Sequence, residues 1–282
     1  MLTLITATLN AARYLEQALA SVPPPDAAIQ HIVVDGGSTD GTVELCRARP
    51  RIEVVVAPGS SIYQAWNIGI ERAGGDWVMF LNADDELAPD TPAIVAATAA
   101  GNPDAAILAG RAELHLRGAP GAAPTVWTAA PGGRLEVGQL ALGVPAINAM
   151  AFRRALFERY GRFDTVYRIA GDRAWLLRLA LNPSPPVVAP VDAVLYRYFS
   201  HAGSLTLMPS LEQRLRIARD HLPLATRLLA QHPSAAEARV LRYWRRREAV
   251  VAALRCAAAG RAVAACRFAA ALFDDGAALH PP

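Results

Sequence analysis

The 282-residue sequence predicts an α/β protein with a mostly parallel, Rossmann-like sheet flanked by helices, and three observations favour this fold class. Short apolar segments alternate with segments of helical pattern over residues 2–81, which is typical of parallel strands joined by right-handed crossovers. Hydrophobic residues make up 53% of the chain and charged residues 19%, so a sizeable core is expected and wholesale disorder is excluded. Polar loops that contain Asp35 and Asp84 each follow an apolar strand, at the edge where such sheets bind ligands.

The first 81 residues account for the parallel part of the sheet. The predicted strands are short, apolar and bounded by turn-forming residues, and they cover residues 2–8, 31–34, 52–56 and 77–81. The predicted helices lie between these strands, at residues 11–21, 42–49 and 62–73. Asn10 is predicted as the N-cap of the first helix.

The second half of the chain is less regular. Residues 102–145 are rich in Gly, Pro and Ala, and short strands or loops are predicted there. The next predicted elements are helices near residues 153–160 and 172–181 and an edge strand over 187–198. From Leu211 onward the pattern is helical, so residues 206–282 are predicted as a helical extension, with a frayed end after Asp274.

The extension differs from the rest of the chain in charge. All 28 basic residues are Arg; residues 200–282 carry a net charge of +6 and residues 1–199 carry −3. Apolar side chains recur at helical spacing and predict a buried face, at Leu241, Trp244, Val251 and Leu254. Three roles for the extension stay open: packing on the first part of the chain, forming a homodimer, and resting on an anionic membrane.

The four Arg within residues 242–247 are more typical of a solvated helix face than of a nucleic-acid site, so no nucleic-acid partner is predicted. No segment resembles a signal peptide, and no apolar run reaches the ~18 residues that a membrane-spanning helix needs. Cys46, Cys256 and Cys266 form no metal or redox motif, and buried free thiols are expected. The predicted location is therefore cytoplasmic, with peripheral contact to the inner face of the plasma membrane left open.

Two adjacent carboxylates end the fourth predicted strand, in the segment Asn82-Ala83-Asp84-Asp85. Carboxylates at a strand end can hold Mg²⁺ or Mn²⁺ while the metal keeps positions free for phosphate oxygens. The same residues also suit a surface turn before a helix, since Pro89 follows closely. On this segment alone, the metal site and the surface turn are both open.

Two further segments carry candidate residues. Residues 35–42, Asp-Gly-Gly-Ser-Thr-Asp-Gly-Thr, form a Gly-rich loop that a ligand can approach closely, and Asp35 can accept from a base or a ribose hydroxyl. The alternative is a plain strand-to-helix loop in which Asp40 caps the helix. Asp172 begins an amphipathic helix, where a carboxylate can serve as a general base or can simply complement the helix dipole.

Taken in order, these segments resemble family 2 glycosyltransferases of the GT-A fold, from Leu2 to about Leu181. The matching segments are the first nucleotide-binding strand and turn at residues 6–10, the nucleoside loop at 33–42, the helix beside the diphosphate at 61–70, the strand leading into the DXD motif at 75–85, and the acceptor-side segment at 161–172. The resemblance implies a GT-A catalytic domain over residues 1–205.

The resemblance also implies a reaction: inverting transfer of a sugar from a nucleotide-diphosphate sugar donor to a saccharide or lipid-linked saccharide acceptor, in cell-surface polysaccharide or glycolipid synthesis. Asp84, with Asp85 near it, is implied to hold Mn²⁺ or Mg²⁺ against the departing diphosphate. Asp172 is implied as the base that takes the acceptor proton. The implied nucleotide-binding residues are Thr6, Ala7, Thr8, Asp35, Asn67 and Asn82.

Several positions depart from the family's usual pattern, namely Gly36, Gly59, Gln64, Asn82, Asn148, Ala149 and Gly171. His201 is interpreted as a surface-loop side chain in preference to a metal or diphosphate contact. The alternative to an enzyme is a non-catalytic nucleotide-sugar-binding or scaffold protein of the same fold, and placement of Asp84 and Asp172 in one cleft would argue against it. A glycoside hydrolase with paired carboxylates is a second alternative, but such an enzyme needs no nucleotide loop.

Overall fold

The computed structural model describes residues 1–23, 29–117, 121–130, 133–201 and 210–272. Within these residues nine strands form one sheet, with helices packed against it, so the predicted α/β class is confirmed. The strands are β1 (Leu2–Thr8), β2 (Ile29–Asp35), β3 (Ile52–Val56), β4 (Trp77–Phe80), β5 (Glu86–Leu87), β6 (Ile107–Leu116), β7 (Thr125–Thr128), β8 (Met150–Arg153) and β9 (Val188–Ser200).

The sheet has the order β3-β2-β1-β4-β8-β6-β9-β5, and β7 pairs with β6 outside this path. The first four strands in this order are parallel to one another. Strand β8 is antiparallel to both of its neighbours, whereas β6 and β9 are parallel. The carboxyl ends of β1, β2, β3 and β4 therefore meet at one edge, which is where such sheets bind ligands.

Ten helices are present among the described residues. They are α1 (Ala12–Ser21), α2 (Thr42–Arg47), α3 (Ile62–Arg72), α4 (Thr91–Gly101), α5 (Val137–Leu142), α6 (Ala155–Arg159), α7 (Gly171–Ala180), α8 (Leu211–Leu229), α9 (Ala235–Ala258) and α10 (Ala262–Ala270). Three of them begin with a capping box, in which the N-cap serine and the residue three positions later satisfy each other's backbone N–H groups; the serines are Ser61, Ser210 and Ser234.

The prediction that Asn10 caps the first helix is wrong. Asn10 has a left-handed backbone with φ of 49°, and its side chain accepts the Thr39 N–H at 3.0 Å. Asp40 caps the helix instead, because its Oδ2 accepts the Ala12 N–H at 3.1 Å and its Oδ1 accepts the Thr42 N–H. One carboxylate of the Gly-rich loop therefore holds the starts of both α1 and α2.

The second half also differs from the prediction. Strand β6 has ten residues and lies inside the sheet, although its segment is rich in Gly and Ala. Strand β9 is not an edge strand, because the two-residue strand β5 covers its outer side. Arg153 ends β8 rather than beginning a helix. The small residues of β6 obscured its position in the sheet, because Ala109 and Ala112 belong to the core although their segment has the composition of a loop.

A cluster of aromatic rings forms the core between α3, β4, β8 and α7. Trp66 stacks on Phe80 with centroids 4.3 Å apart, and Trp175 stacks on Phe157 at 4.6 Å. Helix α3 lies very close to β1, because a Cβ at Gly69 would be 2.4 Å from the Ile5 side chain. These contacts fix α3 and α7 in position relative to the strand ends.

Helices α8 and α9 pack against the rest of the protein. Leu228 and Trp244 belong to the same buried cluster as the sheet, so the predicted burial of Leu241 and Trp244 agrees with the structure. Leu254 departs from the predicted face, with 64% of its surface exposed, and Arg245 departs from the predicted solvated run, with 7% exposed. Helix α10 packs on α9 in a second, smaller core.

Two remaining expectations concern the thiols and the membrane. Cys46 and Cys256 are buried as expected, but Cys266 is exposed. Among the described residues, no helix combines the length and apolar character needed to cross a membrane. The prediction of a frayed end after Asp274 lies outside the described residues.

Candidate functional site

Asp35 joins the carboxyl ends of β1 and β2. The Thr8 hydroxyl donates to Asp35 Oδ2 at 2.9 Å, and the Ser38 hydroxyl donates to the same oxygen at 2.5 Å. The N–H groups of Gly37 and Ser38 donate to Oδ1 at 2.9 and 2.7 Å. Only 1% of Asp35 is exposed. Both oxygens of the carboxylate are therefore engaged in holding the loop, and neither is free for a ligand.

The charge of Asp35 is maintained by these hydrogen bonds. Burial alone would raise its pKa, but the bonds from Ser38, Thr8 and Gly37 outweigh burial and hold the pKa below its ordinary value. The neighbouring position is close to the backbone of the next loop, because a Cβ at Gly36 would lie 3.3 Å from the Ser60 carbonyl oxygen, so a side chain there would require a small shift of that backbone.

Three of the predicted nucleotide contacts have side chains that are directed elsewhere. The Thr6 hydroxyl is fully buried and lies 3.0 Å from His31 Nε2. Burial lowers the pKa of His31 to about 4, so this imidazole is neutral at pH 7. Ala7 packs against the core. Asn67 pairs with the backbone of Phe163, donating to its carbonyl at 2.9 Å and accepting its N–H at 3.0 Å. The geometry argues against direct side-chain contacts from Thr6 and Asn67.

Asp85 is a buried carboxylate that stabilises the loop after β4 through hydrogen bonds. Its Oδ2 accepts from the Tyr196 hydroxyl at 2.9 Å and from the Asn82 amide at 3.0 Å, and its Oδ1 accepts the Phe199 N–H at 2.8 Å. Burial, and then the charge of Asp84, raises its pKa to about 7. Both oxygens are engaged, so the geometry argues against Asp85 as a metal ligand and against Asn82 as a direct nucleotide contact through its amide N–H.

Asp84 faces the other side of this loop, where it meets His201. His201 Nε2 lies 2.8 Å from Asp84 Oδ2, and the imidazole packs on the Tyr14 ring with centroids 4.5 Å apart. Only 15% of the His201 side chain is exposed. The interpretation of His201 as a surface-loop side chain is therefore wrong, because its side chain is largely buried against Tyr14 and Asp84.

Arg117 holds the backbone of the same loop. Its guanidinium donates to the Asp84 carbonyl and to the Gln17 side chain, both at 3.0 Å. The guanidinium carbon lies 4.7 Å from the ring centroids of both Tyr14 and Phe199, so it is sandwiched between two aromatic rings. A positive charge held between two rings thus lies beside the Asp84 backbone.

Asp172 lies in the first turn of α7. Its Oδ1 accepts the Arg173 N–H at 2.7 Å, and the Tyr63 hydroxyl lies 3.1 Å from the same oxygen. Burial raises the pKa of Asp172, although the Arg173 charge opposes this effect. Gly171 permits this arrangement, because a Cβ there would lie 2.6 Å from the Tyr63 ring. A raised pKa suits a carboxylate that must accept a proton near neutral pH.

Tyr198 connects the two carboxylate-bearing segments. Burial raises the pKa of its hydroxyl, and the charges of Asp85 and Asp172 raise it further. The same hydroxyl donates to Asn148 Oδ1 at 3.0 Å, while the Asn148 amide donates to the carbonyl of Phe80, the last residue of β4. Tyr198 also stacks on Trp127 with an interplanar angle of 11°. The β4 loop and the start of α7 therefore flank one cluster of polar and aromatic side chains.

The donor atoms fit a cation that is shared with a substrate. Among the described residues, no group of three or more His, Cys, Asp or Glu side chains is placed to hold a metal ion. Asp84 Oδ2 and His201 Nε2 are hydrogen-bonded to each other at 2.8 Å, and on release of that bond they would offer one oxygen and one nitrogen ligand, a pair that suits Mn²⁺ better than Mg²⁺. Such ions commonly take one or two carboxylates and complete their coordination with phosphate oxygens and water.

The residues of this site that were not predicted as members from the sequence include Tyr63, Arg117, Tyr196, Tyr198 and His201. The signal for Tyr196 and Tyr198 is their alternation on one face of β9, and His201 directly follows the last residue of that strand. Arg117 follows β6, which pairs in parallel with β9, so both strands deliver polar residues at the same edge. No signal in the sequence pairs Tyr63 with Asp172, because 109 positions separate them.

Comparisons with known proteins identify the family of this chain. Residues 3–160 match the model of the family described as Glycosyl transferase family 2. A PGL/p-HBAD biosynthesis glycosyltransferase of Mycobacterium tuberculosis (strain ATCC 25177 / H37Ra) is 27% identical over 236 residues, which cover 81% of this chain and 86% of the relative.

Solved structures share the fold. The crystal structure of S. aureus TarS 1–349 is 19% identical, with a TM-score of 0.61, and the match covers 89% of this chain and 72% of that chain. The mannosyltransferase PcManGT from Pyrobaculum calidifontis, in complex with GDP-Man and Mn²⁺, is 21% identical, with a TM-score of 0.57 and coverage of 95% and 78%. These likenesses place the sheet and its strand order among GT-A folds.

Proposed function

Because this chain belongs to glycosyl transferase family 2, we propose that it is an inverting enzyme that transfers a sugar from a nucleotide-diphosphate donor to an acceptor hydroxyl group. One observation supports the proposal beyond the family: the Tyr198 hydroxyl, which donates to Asn148, has a pKa raised by the charges of both Asp85, the neighbour of Asp84, and Asp172. This arrangement supports a single cleft between a donor side and an acceptor side. The arrangement argues against a non-catalytic scaffold protein, because such a protein would not need a general base at the start of α7.

On the donor side, we assign the nucleoside to the loop that Asp35 shapes and the diphosphate to the edge beside Asp84. Arg117 lies next to Asp84 and is held between two aromatic rings. Its positive charge would stabilise the negative charge that develops on the leaving diphosphate, and the side chain would not have to move to do so. Asp84 and His201 would hold Mn²⁺ or Mg²⁺, which supplies further neutralisation of the departing diphosphate.

On the acceptor side, Asp172 takes the proton from the attacking hydroxyl group. Its Oδ1 is held by the Arg173 N–H, and its raised pKa makes it a stronger base than a solvated carboxylate. Attack by the acceptor from the face opposite the leaving group inverts the configuration at the anomeric carbon. The relative named for PGL/p-HBAD biosynthesis supports an acceptor in cell-surface polysaccharide or glycolipid synthesis.

The division of the chain into a catalytic domain over residues 1–205 and a helical extension over 206–282 is part of this proposal. A lipid-linked acceptor suits peripheral contact with the inner face of the plasma membrane. The outer face of α9 supports that contact, because Tyr243, Val250 and Leu254 are exposed there beside Arg242 and Arg246. Exposed apolar and cationic side chains on one helix face are typical of helices that lie on anionic membranes.

The experiment that tests the proposal is a donor screen with Mn²⁺. UDP-GlcNAc and GDP-mannose are incubated with the protein, together with other nucleotide sugars, and release of nucleoside diphosphate is measured. We expect release from one donor class, its loss with EDTA, and its loss in Asp84→Ala. Asp104→Ala serves as the matched control, because Asp104 is an exposed carboxylate outside the site. If Asp84→Ala in the presence of EDTA released nucleoside diphosphate as fast as the untreated wild type, the metal assignment would be overturned.

A further inference from the structure

The segment that leads into α7 is held by a residue of the C-terminal helices. The N-cap residue of α7 is Ala170, which has no side chain able to accept a hydrogen bond. Asp220, on α8, holds the two residues that precede the helix: its Oδ2 accepts the Ile169 N–H at 2.7 Å and the Ala170 N–H at 3.1 Å. A carboxylate from 50 positions further along the chain therefore fixes the backbone that leads into the helix carrying Asp172.

The opposite edge of the same peptide group contacts Tyr63. The carbonyl of Ile169 and the N–H of Ala170 belong to one planar peptide unit. The Tyr63 hydroxyl lies 2.5 Å from that carbonyl oxygen, and it lies 3.1 Å from Asp172 Oδ1. Since the hydroxyl has a single proton, it donates to the closer carbonyl and interacts only weakly with Asp172.

We propose that Asp220 is a positioning residue for Asp172: by holding the Ile169–Ala170 peptide in place, it directs the Tyr63 proton to the Ile169 carbonyl and leaves the Asp172 carboxylate available for the acceptor. The inference deepens the proposed function and rests on the assignment of Asp172 as the base. It gives the C-terminal helices a part in the reaction, beyond covering the core.

Helix α8 is well placed for this role because it is fixed independently of Asp220. Leu224, Ala225 and Leu228 belong to the main core, and Arg227 forms an ion pair with Asp164 at 2.7 Å. Loss of the Asp220 carboxylate would therefore free the peptide group without detaching the helix.

Several ionisable groups face Asp172 and are common to every variant below. Arg173 follows it on α7, Tyr63 faces it from α3, His221 from α8 and Tyr198 from β9. If Asp220 is removed, the peptide relaxes and the Tyr63 proton is free to bond to Asp172. A hydrogen bond to the charged form of a carboxylate lowers its pKa, so Asp172 becomes a weaker base.

The test compares Asp220→Ala with Asp220→Asn. The Asn side chain keeps an oxygen that can accept both N–H groups but removes the charge, so it separates positioning from electrostatics. The first readout is the titration of the Asp172 carboxyl carbon by ¹³C NMR, assigned by its absence in Asp172→Asn. The second is the pH profile of sugar transfer with the donor found in the screen.

We expect Asp220→Ala to move the Asp172 titration and the acidic limb of the rate profile to lower pH, and to lower kcat on the order of 10-fold. Asp220→Asn should restore both. Arg227→Ala is the matched control, because it removes another contact of α8 that does not reach Asp172. Equal shifts in the Ala and Asn variants would assign the effect to charge and overturn the positioning role, as would the absence of a shift in both.

A double-mutant cycle tests the route through the tyrosine and keeps the proposal falsifiable if Asp220→Ala folds poorly. In Tyr63→Phe the hydroxyl is gone, so a further change from Asp220 to Asn or Ala should leave the Asp172 titration where it is. A shift of the same size in that background would refute the route. Should Asp172→Asn transfer sugar as fast as the wild type, the base assignment fails, whereas the titration still decides whether Asp220 positions Asp172.

Discussion

His201 Nε2 lies 2.8 Å from Asp84 Oδ2, although 117 positions separate the two residues. Asp84 follows β4 and His201 follows β9, and these strands are not neighbours in the sheet. The contact connects the ends of these two strands beside the position that we propose for the diphosphate. Tyr14 supports the imidazole from α1, so its orientation is fixed before a ligand arrives.

The first prediction concerns this pair. His201→Ala should weaken Mn²⁺ binding in the presence of a nucleoside diphosphate on the order of 10- to 100-fold, because the variant loses one ligand or its orienting partner. Isothermal titration calorimetry with Mn²⁺ and UDP or GDP measures the change. His232→Asn is the control, since His232 is exposed and its φ of 54° is tolerated by Asn. Unchanged Mn²⁺ affinity in His201→Ala would remove His201 from the site.

The second prediction concerns the base. Asp172→Asn should keep its affinity for the donor nucleotide and lose transfer activity on the order of 10²- to 10⁴-fold, because general base catalysis contributes about that factor. Steady-state kinetics and nucleotide titration separate the two effects. A variant that binds the donor poorly but turns over normally at saturation would move Asp172 to the donor side.

The third prediction is the pH dependence of that step. Burial raises the pKa of Asp172, and only the ionised carboxylate can accept a proton. The rate should therefore be constant above the raised pKa and should fall as the pH decreases through it, at a higher pH than an ordinary Asp would give. A pH profile of kcat with saturating acceptor checks this, and an acidic limb near the ordinary Asp value of about 3.9 would contradict it.

The fourth prediction concerns Gly171. Gly171→Ala should destabilise the protein by about 1–3 kcal/mol, because the new Cβ would meet the Tyr63 ring at 2.6 Å in a closely packed site. Gly138→Ala is the matched control, since a methyl group added there would have no other atom within 4 Å and a helical Gly→Ala change stabilises by about 0.4–1 kcal/mol. Chemical denaturation measures both, and equal effects would show that the contact yields easily.

The fifth prediction concerns the outer face of α9. The protein should sediment with anionic vesicles at low salt and stay in solution with neutral vesicles or at high salt, because each basic residue near an anionic surface contributes ~1 kcal/mol. Changing Arg242, Arg246 and Arg247 to Gln should abolish the sedimentation.

The control for that experiment makes the same charge change elsewhere, with Arg13, Arg47 and Arg159 replaced by Gln; these side chains are exposed and lie outside the C-terminal helices. Recovery of the wild type in the supernatant under all conditions would leave packing or dimerisation as the role of the helices.

The parallel half of the sheet could be predicted closely, because each of its strands is an apolar run between turn signals. The bounds of β1 and β3 agree residue for residue with the prediction. Strand β9 was misplaced at the edge, because the strand that covers it has two residues and leaves no periodic pattern in the sequence.

The sequence predicted the carboxylates of the candidate site but not the side chains that contact them. Asp84, Asp85 and Asp172 were identified, but the distinction between an accessible Asp84 and a buried Asp85 depends on Tyr196 and Phe199, which lie 111 and 114 positions from Asp85. Side-chain contacts of this range follow from packing, which local patterns do not encode. For the same reason, the sequence did not predict that Asp220, in the C-terminal helices, contacts the backbone before α7.

Strand β9 places constraints on how this sequence can vary. Its even-numbered side chains, Tyr196 and Tyr198, face Asp85 and Asn148, while the odd-numbered Arg197 and Phe199 face Glu113 and Arg117. Because the side-chain period of a strand is two, deleting one residue from β9 would exchange these faces and disconnect both sides of the cleft at once. Length changes in this strand are therefore expected to be tolerated only in steps of two, or at its ends.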